Sequence, residues 1–353
     1  MRQLATIQRI AEVAPIEGAD AIVKVRVNDW WCVARKDEFN TGDLCAYFEI
    51  DSLLPVDNPA FEFLSKGSKP KKMTVDGKEY VGYRLKTVRL RGQVSQGLAL
   101  PLQKLKIGDV EMALGLFKEG EDVSEALGVV KYEPPIPAEL AGKMKGNLPA
   151  FVRKTDEERI QNMGDVVLAN LGIRYYVTEK LDGSSTTFYK KDGQVGVCSR
   201  NLELLETEDN TLWKVGRQTG ILDRLPDGYA VQGEMVGSGI QGNYLGINGQ
   251  CFYAYNVWDI TNQKFLDFAE MLEFFKTYDI PHVPILCRDH KLQSTIEDII
   301  AFADGPSRLN PNAKREGVVI RPLQEMRVTI RKQADQRYSF KVISNDYLLN
   351  VEQ

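Results

Sequence analysis

A lysine in the pattern Lys-x-Asp-Gly, Lys180, is the residue whose setting in this chain best suits chemistry. It follows the strand-forming run Tyr175–Val177, and Gly183 supplies a turn directly after it. A lysine held at the end of a strand beside a glycine turn can approach a phosphate closely, as an enzyme that forms a lysyl–nucleoside monophosphate requires. The tetrapeptide alone also occurs on surface hairpins, where such a lysine is only solvated.

Five further segments follow Lys180 in a fixed order. They are SRN at Ser199–Asn201, VQGEMVG at Val231–Gly237, FYAYNVWD at Phe252–Asp259, EGVVIRP at Glu316–Pro322 and YSFKVIS at Tyr338–Ser344. This ordered set resembles the covalent nucleotidyltransferase superfamily, which contains ATP-dependent RNA and DNA ligases and capping enzymes. The resemblance runs from Phe151 to the C-terminus. It implies an α+β nucleotidyltransferase domain with an antiparallel-sheet core, and ATP with Mg²⁺ (or Mn²⁺) as cofactors.

The resemblance implies that the Lys180 amine attacks the α-phosphate of ATP and expels pyrophosphate, leaving AMP on the lysine. A free lysine has a pKa of about 10.4, so neighbouring positive charge is needed to remove its proton. A bound divalent metal ion and Lys341 would supply that charge. Glu234 would contact the ribose or a metal ion, and Glu316 would hold metal-bound water, because Mg²⁺ prefers oxygen ligands.

The resemblance also implies an ATP-binding set. Its members are Arg159, Glu179, Gly183, Ser185, Arg200, Glu234, Tyr255 and Lys341. Arg200 would bind a phosphate, because a guanidinium pairs with two phosphate oxygens at once. Tyr255 would stack on adenine, with Phe252 as the alternative, and the ring that does not stack would pack in the core. Glu179 stands where relatives read the adenine edge with local backbone groups.

Two positions in the set relate the chain to RNA ligases rather than DNA ligases. Arg159 lies in PAFVRKTDEERIQN (Pro149–Asn162), which resembles the segment before the nucleotidyl lysine of RNA ligases. There it would contact a phosphate or the leaving group, although helical spacing also allows a solvent-exposed side chain. Ser185 stands where DNA ligases usually carry arginine.

The last motif departs from the family pattern of two lysines that flank one residue. Ser339 holds the first place and Lys341 the second. Arg337, or Arg331 and Lys332, would then supply the missing charge. The long stretch before this motif predicts an inserted hairpin.

The N-terminal part predicts a different kind of domain. Its β-like runs are Ala21–Val27, Trp30–Arg35, Leu44–Ile50, Tyr83–Gly92 and Ser95–Leu102. About five short strands with few helices indicate a small OB-type β-barrel. The proline-rich stretch YEPPIPAELAGKMKGNLPA ends it, because proline breaks regular pairing. We therefore predict an OB-like module at 1–131, a linker at 132–150 and the adenylyltransferase domain at 151–353.

A basic segment, Ser65–Gln93, marks a predicted nucleic-acid surface on this module. It contains nine lysines and arginines against two acids, Asp76 and Glu79. Arg84 and Lys86 are predicted to share one strand face, as are Arg89 and Arg91. Basic strands on an OB barrel suit a phosphate backbone. The alternative is a solvated edge strand protected by charge.

Composition limits the other possibilities. The five cysteines are scattered without CxxC spacing, and His282 and His290 are the only histidines, which argues against a zinc site and a Ser-His-Asp triad. No apolar run spans a membrane and the N-terminus lacks a signal-peptide pattern, so we expect a cytoplasmic monomer. The net charge of −4 means that cations must be concentrated where a nucleic acid lies.

Domain order selects one branch of the resemblance. DNA ligases and capping enzymes carry an OB domain after the catalytic core, whereas only twelve residues follow Lys341 here. An OB-like module before the core resembles a family of ATP-dependent RNA ligases. We therefore expect a ligase that seals 3′-OH and 5′-phosphate ends, at a nick or break in RNA or RNA/DNA duplex with RNA on the 3′-OH side. A guanylyltransferase-type enzyme and a non-catalytic RNA-binding protein with a vestigial pocket remain the alternatives.

Overall fold

The computed structural model describes residues 3–75, 77–107, 110–113, 115–133, 142–331 and 333–350. The chain divides into unit 1, Met1–Ile136, and unit 2, Pro137–Gln353. Short antiparallel strands dominate unit 1, and unit 2 combines antiparallel sheets with a few helices, so the predicted fold class is confirmed. Among the described residues, no helix is long and apolar enough to cross a membrane.

Unit 1 contains two larger sheets and two small ribbons. The strands are β1 Ala5–Pro15, β2 Ile22–Val27, β3 Trp30–Arg35, β4 Leu44–Phe48, β5 Ser52–Pro55, β6 Lys71–Val75, β7 Lys78–Arg84, β8 Val88–Leu90, β9 Gln93–Ser95, β10 Leu98–Pro101, β11 Lys106–Ile107, β12 Val110–Glu111 and β13 Val130–Lys131. The sheet orders are β10-β4-β1-β2-β3 and β13-β5-β7-β6, and the pairs β8–β9 and β11–β12 stand apart. Two 3₁₀ helices, Pro59–Lys66 and Leu102–Lys104, complete the unit.

The first strand, β1, is missing from the sequence prediction, and its geometry explains why. It pairs with β4 over Ala5–Arg9 and with β2 over Ile10–Pro15, and the register shifts between Ile10 and Glu12. A bulge of this kind bends the strand and disrupts the inward–outward alternation that identifies a strand in a sequence. The same bend lets one strand serve two faces of a barrel.

Unit 2 is built around a seven-stranded and a five-stranded sheet. The strands are β14 Met144–Asn147, β15 Glu158–Arg159, β16 Tyr175–Lys180, β17 Ser184–Lys191, β18 Gln194–Cys198, β19 Leu202–Leu204, β20 Tyr229–Gly237, β21 Gln250–Asp259, β22 Lys264–Phe265, β23 Ile285–His290, β24 Gly317–Pro322, β25 Arg327–Ile330, β26 Gln333–Arg337 and β27 Phe340–Ile343. The sheet orders are β14-β19-β18-β17-β20-β21-β22 and β15-β27-β24-β16-β23. The pair β25–β26 is the inserted hairpin that the long stretch before the last motif predicts.

Short helices complete unit 2. They are α1 Gly164–Ala169, α2 Thr211–Gln218, α3 Ile221–Arg224, α4 Phe268–Thr277, α5 Ile296–Phe302 and α6 Asn345–Asn350, with a 3₁₀ turn at Ile160–Asn162. The helical spacing of apolar residues in Asp267–Tyr278 correctly predicts α4, whose Phe268 stacks on Tyr176 of β16 with ring centroids 4.2 Å apart. Ser294 and Glu297 have the spacing of a capping box in the sequence, which predicts a helix N-cap at Ser294, but the structure does not form this box.

Helix α5 begins one residue later than that box requires. Its N-cap is Thr295, whose Oγ1 accepts a hydrogen bond from the Asp298 backbone N–H at 3.2 Å. Serine and threonine are both good N-cap residues. Because Ser294 and Thr295 are adjacent, the sequence does not decide at which of the two the helix begins.

The predicted linker, 132–150, includes residues near both of its ends that are hydrogen-bonded into the two units. Its part at 134–141, which includes three of its four prolines, lies outside the described residues. Met144–Asn147 form β14, which pairs with β19 at the edge of the seven-stranded sheet. At the other end, the Tyr132 backbone N–H donates to the Asp51 carbonyl of unit 1 at 2.7 Å.

Candidate active site

Strand pairing in unit 2 delivers Lys180 and an acidic residue to the same place. Lys180 is the last residue of β16 and lies opposite Gly317, the first residue of β24, which places Glu316 beside it. The Lys180 Nζ lies 2.7 Å from Glu316 Oε1 and 2.8 Å from Oε2. The lysine is 25% exposed and the glutamate 13%, so the pair lies in a recess that still opens to solvent.

The turn after Lys180 depends on Gly183. A Cβ atom on this glycine would lie 2.3 Å from the Met235 carbonyl oxygen and 2.9 Å from Glu234 Cγ. Any larger residue would push the turn away from β20, and Lys180 with it. The glycine that the sequence identifies as a turn residue is therefore also required for close packing of the nucleophile turn onto the strand that carries Glu234.

Three carboxylates surround one lysine at this point. Burial alone would lower the pKa of Lys180, but the charges of Glu316, Glu234 and Asp182 outweigh burial and raise it. Burial raises the pKa of Glu234 to about 8; Lys180 opposes this rise, and Glu316 and Asp182 add to it. The cluster therefore has more negative charge than the single ammonium group balances. Asp182 is the third residue of Lys-x-Asp-Gly, so the motif itself pointed to it.

This excess of buried negative charge suits a divalent cation. Among the described residues, no group of three or more histidine, cysteine, aspartate or glutamate side chains is arranged to hold a metal ion alone. Magnesium usually keeps several waters and binds through one or two carboxylates together with substrate phosphates. Glu234 and Glu316 match that kind of partial, oxygen-only site.

Two cations of the predicted set lie around the acidic cluster. Lys341, on β27, faces Val319 of β24 in the sheet register; burial raises the pKa of Glu316, and Lys341 opposes this rise. Arg200, two residues after β18, opposes the rise in the pKa of Glu234. The Arg200 guanidinium also lies 2.5 Å from Asp156 Oδ1, with both side chains nearly half exposed. A phosphate bound here would compete with this carboxylate for the arginine.

Tyr255 and Phe252 occupy different environments. Phe252 is 2% exposed and packs edge-on against Phe188 in the core, with ring centroids 4.7 Å apart. Tyr255 lies at a bulge where the β20–β21 register shifts, and bulges commonly redirect a side chain next to a functional site. Its hydroxyl lies 3.3 Å from Ser185 Oγ, which is 2.7 Å from Thr155 Oγ1. The ring available to a ligand is therefore Tyr255, with Ser185 beside it.

Glu179 points to the opposite side of β16 from Lys180 and is 1% exposed. Its Oε2 accepts a hydrogen bond from the Arg308 backbone N–H at 2.7 Å. Its Oε1 is buried and has no hydrogen-bond partner among the described residues. An unsatisfied carboxylate oxygen requires a donor, which the amino group of a base can supply.

The solvent-exposed alternative for Arg159 is wrong. The arginine is only 7% exposed, because β15 pairs in parallel with β27, with Glu158 opposite Phe340 and Arg159 opposite Lys341. The segment is a short strand rather than a helix, so helical spacing does not apply to it. This pairing brings Arg159 and Lys341 to one end of the five-stranded sheet.

The charge next to Ser339 comes from a residue that the sequence prediction missed. Arg321, 1% exposed on β24, donates from Nε to Ser339 Oγ at 2.9 Å and pairs through Nη2 with Glu157 Oε1 at 2.7 Å. Its guanidinium also lies 5.9 Å from the centre of the Tyr255 ring. Arg321 is the penultimate residue of the quoted motif EGVVIRP, so the signal was present.

Arg337, the predicted substitute for the missing lysine, has other contacts. It pairs with Glu325 and lies over the Phe265 ring at 3.7 Å, and its Nη1 is 4.0 Å from Glu157 Oε1. Arg331 lies in the turn between β25 and β26, and Lys332 is outside the described residues. The cation in contact with Ser339 is therefore Arg321 rather than Arg337.

In unit 1, the four predicted nucleic-acid contacts separate into two groups. Arg84 ends β7, pairs with Asp51 at 2.6 Å and lies over the Tyr132 ring at 5.1 Å. Lys86 lies beyond the end of β7, so the prediction that Arg84 and Lys86 share one face of a strand is wrong. Lys86, Arg89 and Arg91 are exposed, and no ion pair joins them to any described carboxylate. Asp51 already balances the charge of Arg84. Among these four residues, the positive charge available to a nucleic acid therefore lies at 86–91.

Comparison with known proteins gives an independent view of this arrangement. The RNA ligase family model matches residues 173–343, and an OB-fold domain model matches residues 4–102. A Naegleria gruberi RNA ligase solved with PPi has 42% sequence identity and a TM-score of 0.84 over 99% of this chain and 98% of that chain. A mutant of that ligase with AMP and Mn gives 42% and 0.85 over 98% of each chain, and a mutant without ligand gives 42% and 0.84 over 98% and 97%. A search of curated proteins finds no match.

Proposed function

The chain belongs to the RNA ligase family and is an ATP-dependent enzyme of that class, and we propose that Lys180 carries AMP as a covalent intermediate in its reaction. The observation that supports this proposal is the position of the Lys180 amine, within a recess bordered by Glu316, Glu234 and Asp182. The amine attacks the α-phosphate of ATP, the bond to the β-phosphate oxygen breaks, and pyrophosphate leaves. AMP then passes to a 5′-phosphate end, and a 3′-OH displaces it to seal the strand.

The acidic residues have a defined part in this proposal. Glu234 and Glu316 would hold a divalent metal ion, Mg²⁺ or Mn²⁺, which supplies positive charge beside Lys180 and the phosphates. Glu316 also orients the amine through its 2.7 Å contact. In the absence of that added charge the carboxylates raise the pKa of Lys180, so the amine stays protonated and unreactive. Nucleophilic attack would therefore occur only when the metal ion and ATP are both bound.

The remaining residues of the site would hold the nucleotide. The Tyr255 ring would stack on adenine. The Arg200 guanidinium would release Asp156 and bind a phosphate in its place. Buried Glu179 Oε1 requires a donor, and adenine has an amino group where guanine has a carbonyl oxygen. This observation favours ATP over GTP as the donor. Arg159 and Lys341, adjacent at the end of the five-stranded sheet, are proposed to contact the triphosphate.

The other partners are part of the same proposal. We expect the enzyme to act as a monomer on a nick or break in RNA or RNA/DNA duplex, with RNA on the 3′-OH side. The five unpaired thiols suit a reducing compartment, so the cytoplasm is the proposed location. The exposed cations at 86–91 of unit 1 are the proposed contacts to the nucleic acid backbone.

Labelling with radioactive nucleotides tests the proposed function. The protein is incubated with α-labelled ATP or GTP and Mg²⁺, and covalent label is measured on the denatured protein. We expect label from ATP only, followed by sealing of a nicked duplex that has RNA on the 3′-OH side. Label from GTP would indicate the guanylyltransferase type, and the absence of label from either nucleotide would indicate a vestigial pocket.

Neutralising Glu234 or Glu316 is expected to raise the metal concentration needed for labelling. Each variant, Glu234→Gln and Glu316→Gln, replaces a carboxyl group that can bind the metal ion as a carboxylate by a neutral amide, and should slow labelling at low Mg²⁺ by roughly 10²-fold. Excess Mg²⁺ should restore part of the rate. Labelling rates measured across a Mg²⁺ titration give the result.

The surface variant Glu206→Gln, which removes a half-exposed acid that pairs with Arg217, is the matched control and should keep the wild-type titration. Loss of the Glu316 charge would by itself ease removal of the Lys180 proton, because that charge helps to raise the lysine pKa. A slower reaction of Glu316→Gln therefore cannot be explained by a higher pKa of Lys180. An unchanged metal requirement in both variants would contradict the metal assignment.

A further inference from the structure

The hairpin β8–β9 of unit 1 differs from the rest of the barrel in its exposure. We call it the ribbon, residues 86–95. Its two strands pair only with each other, with Val88 opposite Ser95 and Leu90 opposite Gln93. Every residue of β8 is exposed, and Val88 and Leu90 are each 43% exposed although both are apolar. Two adjacent apolar side chains in water on one short strand are unfavourable unless they meet a partner.

The base of the ribbon is firmly held. Ser95 is buried, and its Oγ accepts a hydrogen bond from the Val33 backbone N–H at 2.9 Å. The Gln96 backbone N–H donates to the Trp31 carbonyl at 2.8 Å, and the Tyr47 hydroxyl donates to the Gln96 carbonyl at 3.0 Å. The exposed end therefore extends from an ordered base, and its two faces keep a fixed orientation relative to the barrel.

The two faces of the ribbon differ in chemistry. Because side chains alternate along a strand, Val88 and Leu90 share one face and Arg89 lies on the other. Lys86 and Arg91 add positive charge at the two ends of β8, and no ion pair joins these three cations to a carboxylate in the described part of the chain. An apolar face flanked by unpaired cations is complementary to sugar rings flanked by phosphates.

The residue at the tip is unexpected for the turn that it occupies. Arg91 and Gly92 both have positive φ, +50° and +81°, as a two-residue type I′ hairpin turn requires. Asparagine or glycine is normally found at the first of these positions, because other side chains are strained there. An arginine in a strained conformation at an exposed tip indicates that its guanidinium has a use other than stability.

We propose that the ribbon binds the minor groove of the A-form duplex on which the enzyme acts. The A-form minor groove is wide and shallow and presents sugars and 2′-hydroxyls, whereas the A-form major groove is too deep and narrow for side chains to read. Paired strands lie about 4.8 Å apart before their side chains are added, so a ribbon fits the wide A-form minor groove without deforming it, whereas the B-DNA minor groove, which is about 6 Å wide, would have to open first. Val88 and Leu90 contact the sugars, and Lys86, Arg89 and Arg91 contact phosphates. This inference rests on the proposed function for its substrate class.

Three full-length variants test the ribbon. Arg91→Asn removes a cation and installs a residue that suits the turn, and the double variant Val88→Ser with Leu90→Ser removes the apolar face from exposed positions. Arg35→Gln, at the end of β3, is the matched control for loss of one exposed arginine. Binding is measured by fluorescence anisotropy with nicked RNA duplex, DNA duplex of the same sequence and single-stranded RNA, across a salt series.

We expect Arg91→Asn to keep or raise the melting temperature while weakening RNA-duplex binding roughly fivefold and making the salt slope shallower by about one. The apolar double variant should weaken RNA-duplex binding on the order of tenfold with no change in salt slope, because no charge is lost. Binding to DNA duplex and to single-stranded RNA should not change, and Arg35→Gln should behave as wild type.

Unchanged RNA-duplex binding in both ribbon variants would overturn the proposal. Equal losses on DNA duplex or single-stranded RNA would overturn the A-form assignment. Covalent labelling by ATP, measured on the same preparations, separates this inference from the proposed function. If wild type takes no label while the ribbon variants still lose RNA binding, the lysyl–AMP function fails and the ribbon stands.

Discussion

Replacing Lys180 with alanine is expected to abolish covalent labelling of the protein by ATP. The Lys180 amine is the proposed attacking atom, and the alanine variant has no nitrogen at the end of β16 to replace it. Lys180→Arg should fail as completely, because a guanidinium stays protonated in proteins and is not a usable nucleophile. Label on the denatured protein after incubation with α-labelled ATP gives the result, and wild-type labelling of either variant would refute the assignment.

A second measurement distinguishes a lost nucleophile from a lost fold. The lysine has no covalent part in the last step, in which a 3′-OH displaces AMP from an adenylylated 5′ end. The alanine variant should therefore still seal RNA that already carries 5′-AMP, at a reduced rate because Glu316 has lost its 2.7 Å partner. Failure to seal this substrate, together with a normal melting temperature, would show that Lys180 also serves the later step.

The sequence predicts the central chemistry of this site because strand pairing follows directly from the motifs. Lys180 ends one strand and Glu316 precedes another, and antiparallel pairing of Lys180 with Gly317 is enough to bring the two side chains together. Glu234 follows the same logic, since it lies opposite Ser185 on the neighbouring strand. A motif that fixes a strand end therefore fixes the position of its charged residue as well.

The sequence does not predict partners that are distant along the chain. Nothing near Arg84 indicates that Asp51 neutralises it, and nothing near Ser339 indicates that Arg321 lies 2.9 Å away. A bulge also makes side-chain direction hard to predict from the sequence, because it changes which face of the sheet a residue occupies. Tyr255 lies at such a bulge. Charge balance and side-chain direction are tertiary properties, so local patterns leave them open.

Replacing Arg321 with methionine is expected to destabilise unit 2 by ~3–5 kcal/mol, because removal of one partner leaves a buried charge without compensation. Glu157 is 13% exposed and bonds the arginine at 2.7 Å. Although burial alone would raise the pKa of Glu157, Arg321 and Arg337 hold it below its usual range. In wild type this contribution to the free energy of unfolding is present above about pH 4.3 and is lost as the pH falls through the lowered pKa of Glu157.

The variant should reverse that pH dependence. Without Arg321, burial raises the pKa of Glu157, so acid protonates the carboxyl and removes the penalty, and the deficit relative to wild type shrinks as the pH falls. Denaturant unfolding at several pH values measures this change in the deficit.

Arg321 also donates to the Tyr255 carbonyl at 3.3 Å, so the KM for ATP in the labelling reaction should rise more than kcat falls. The exposed pair Arg217–Glu206 provides the control, because Arg217→Met should cost at most ~1 kcal/mol with no change in KM. Equal effects of the two methionine variants would show that the buried Arg321–Glu157 pair contributes no more than an exposed ion pair, and that the cation beside Ser339 has no part in holding the nucleotide.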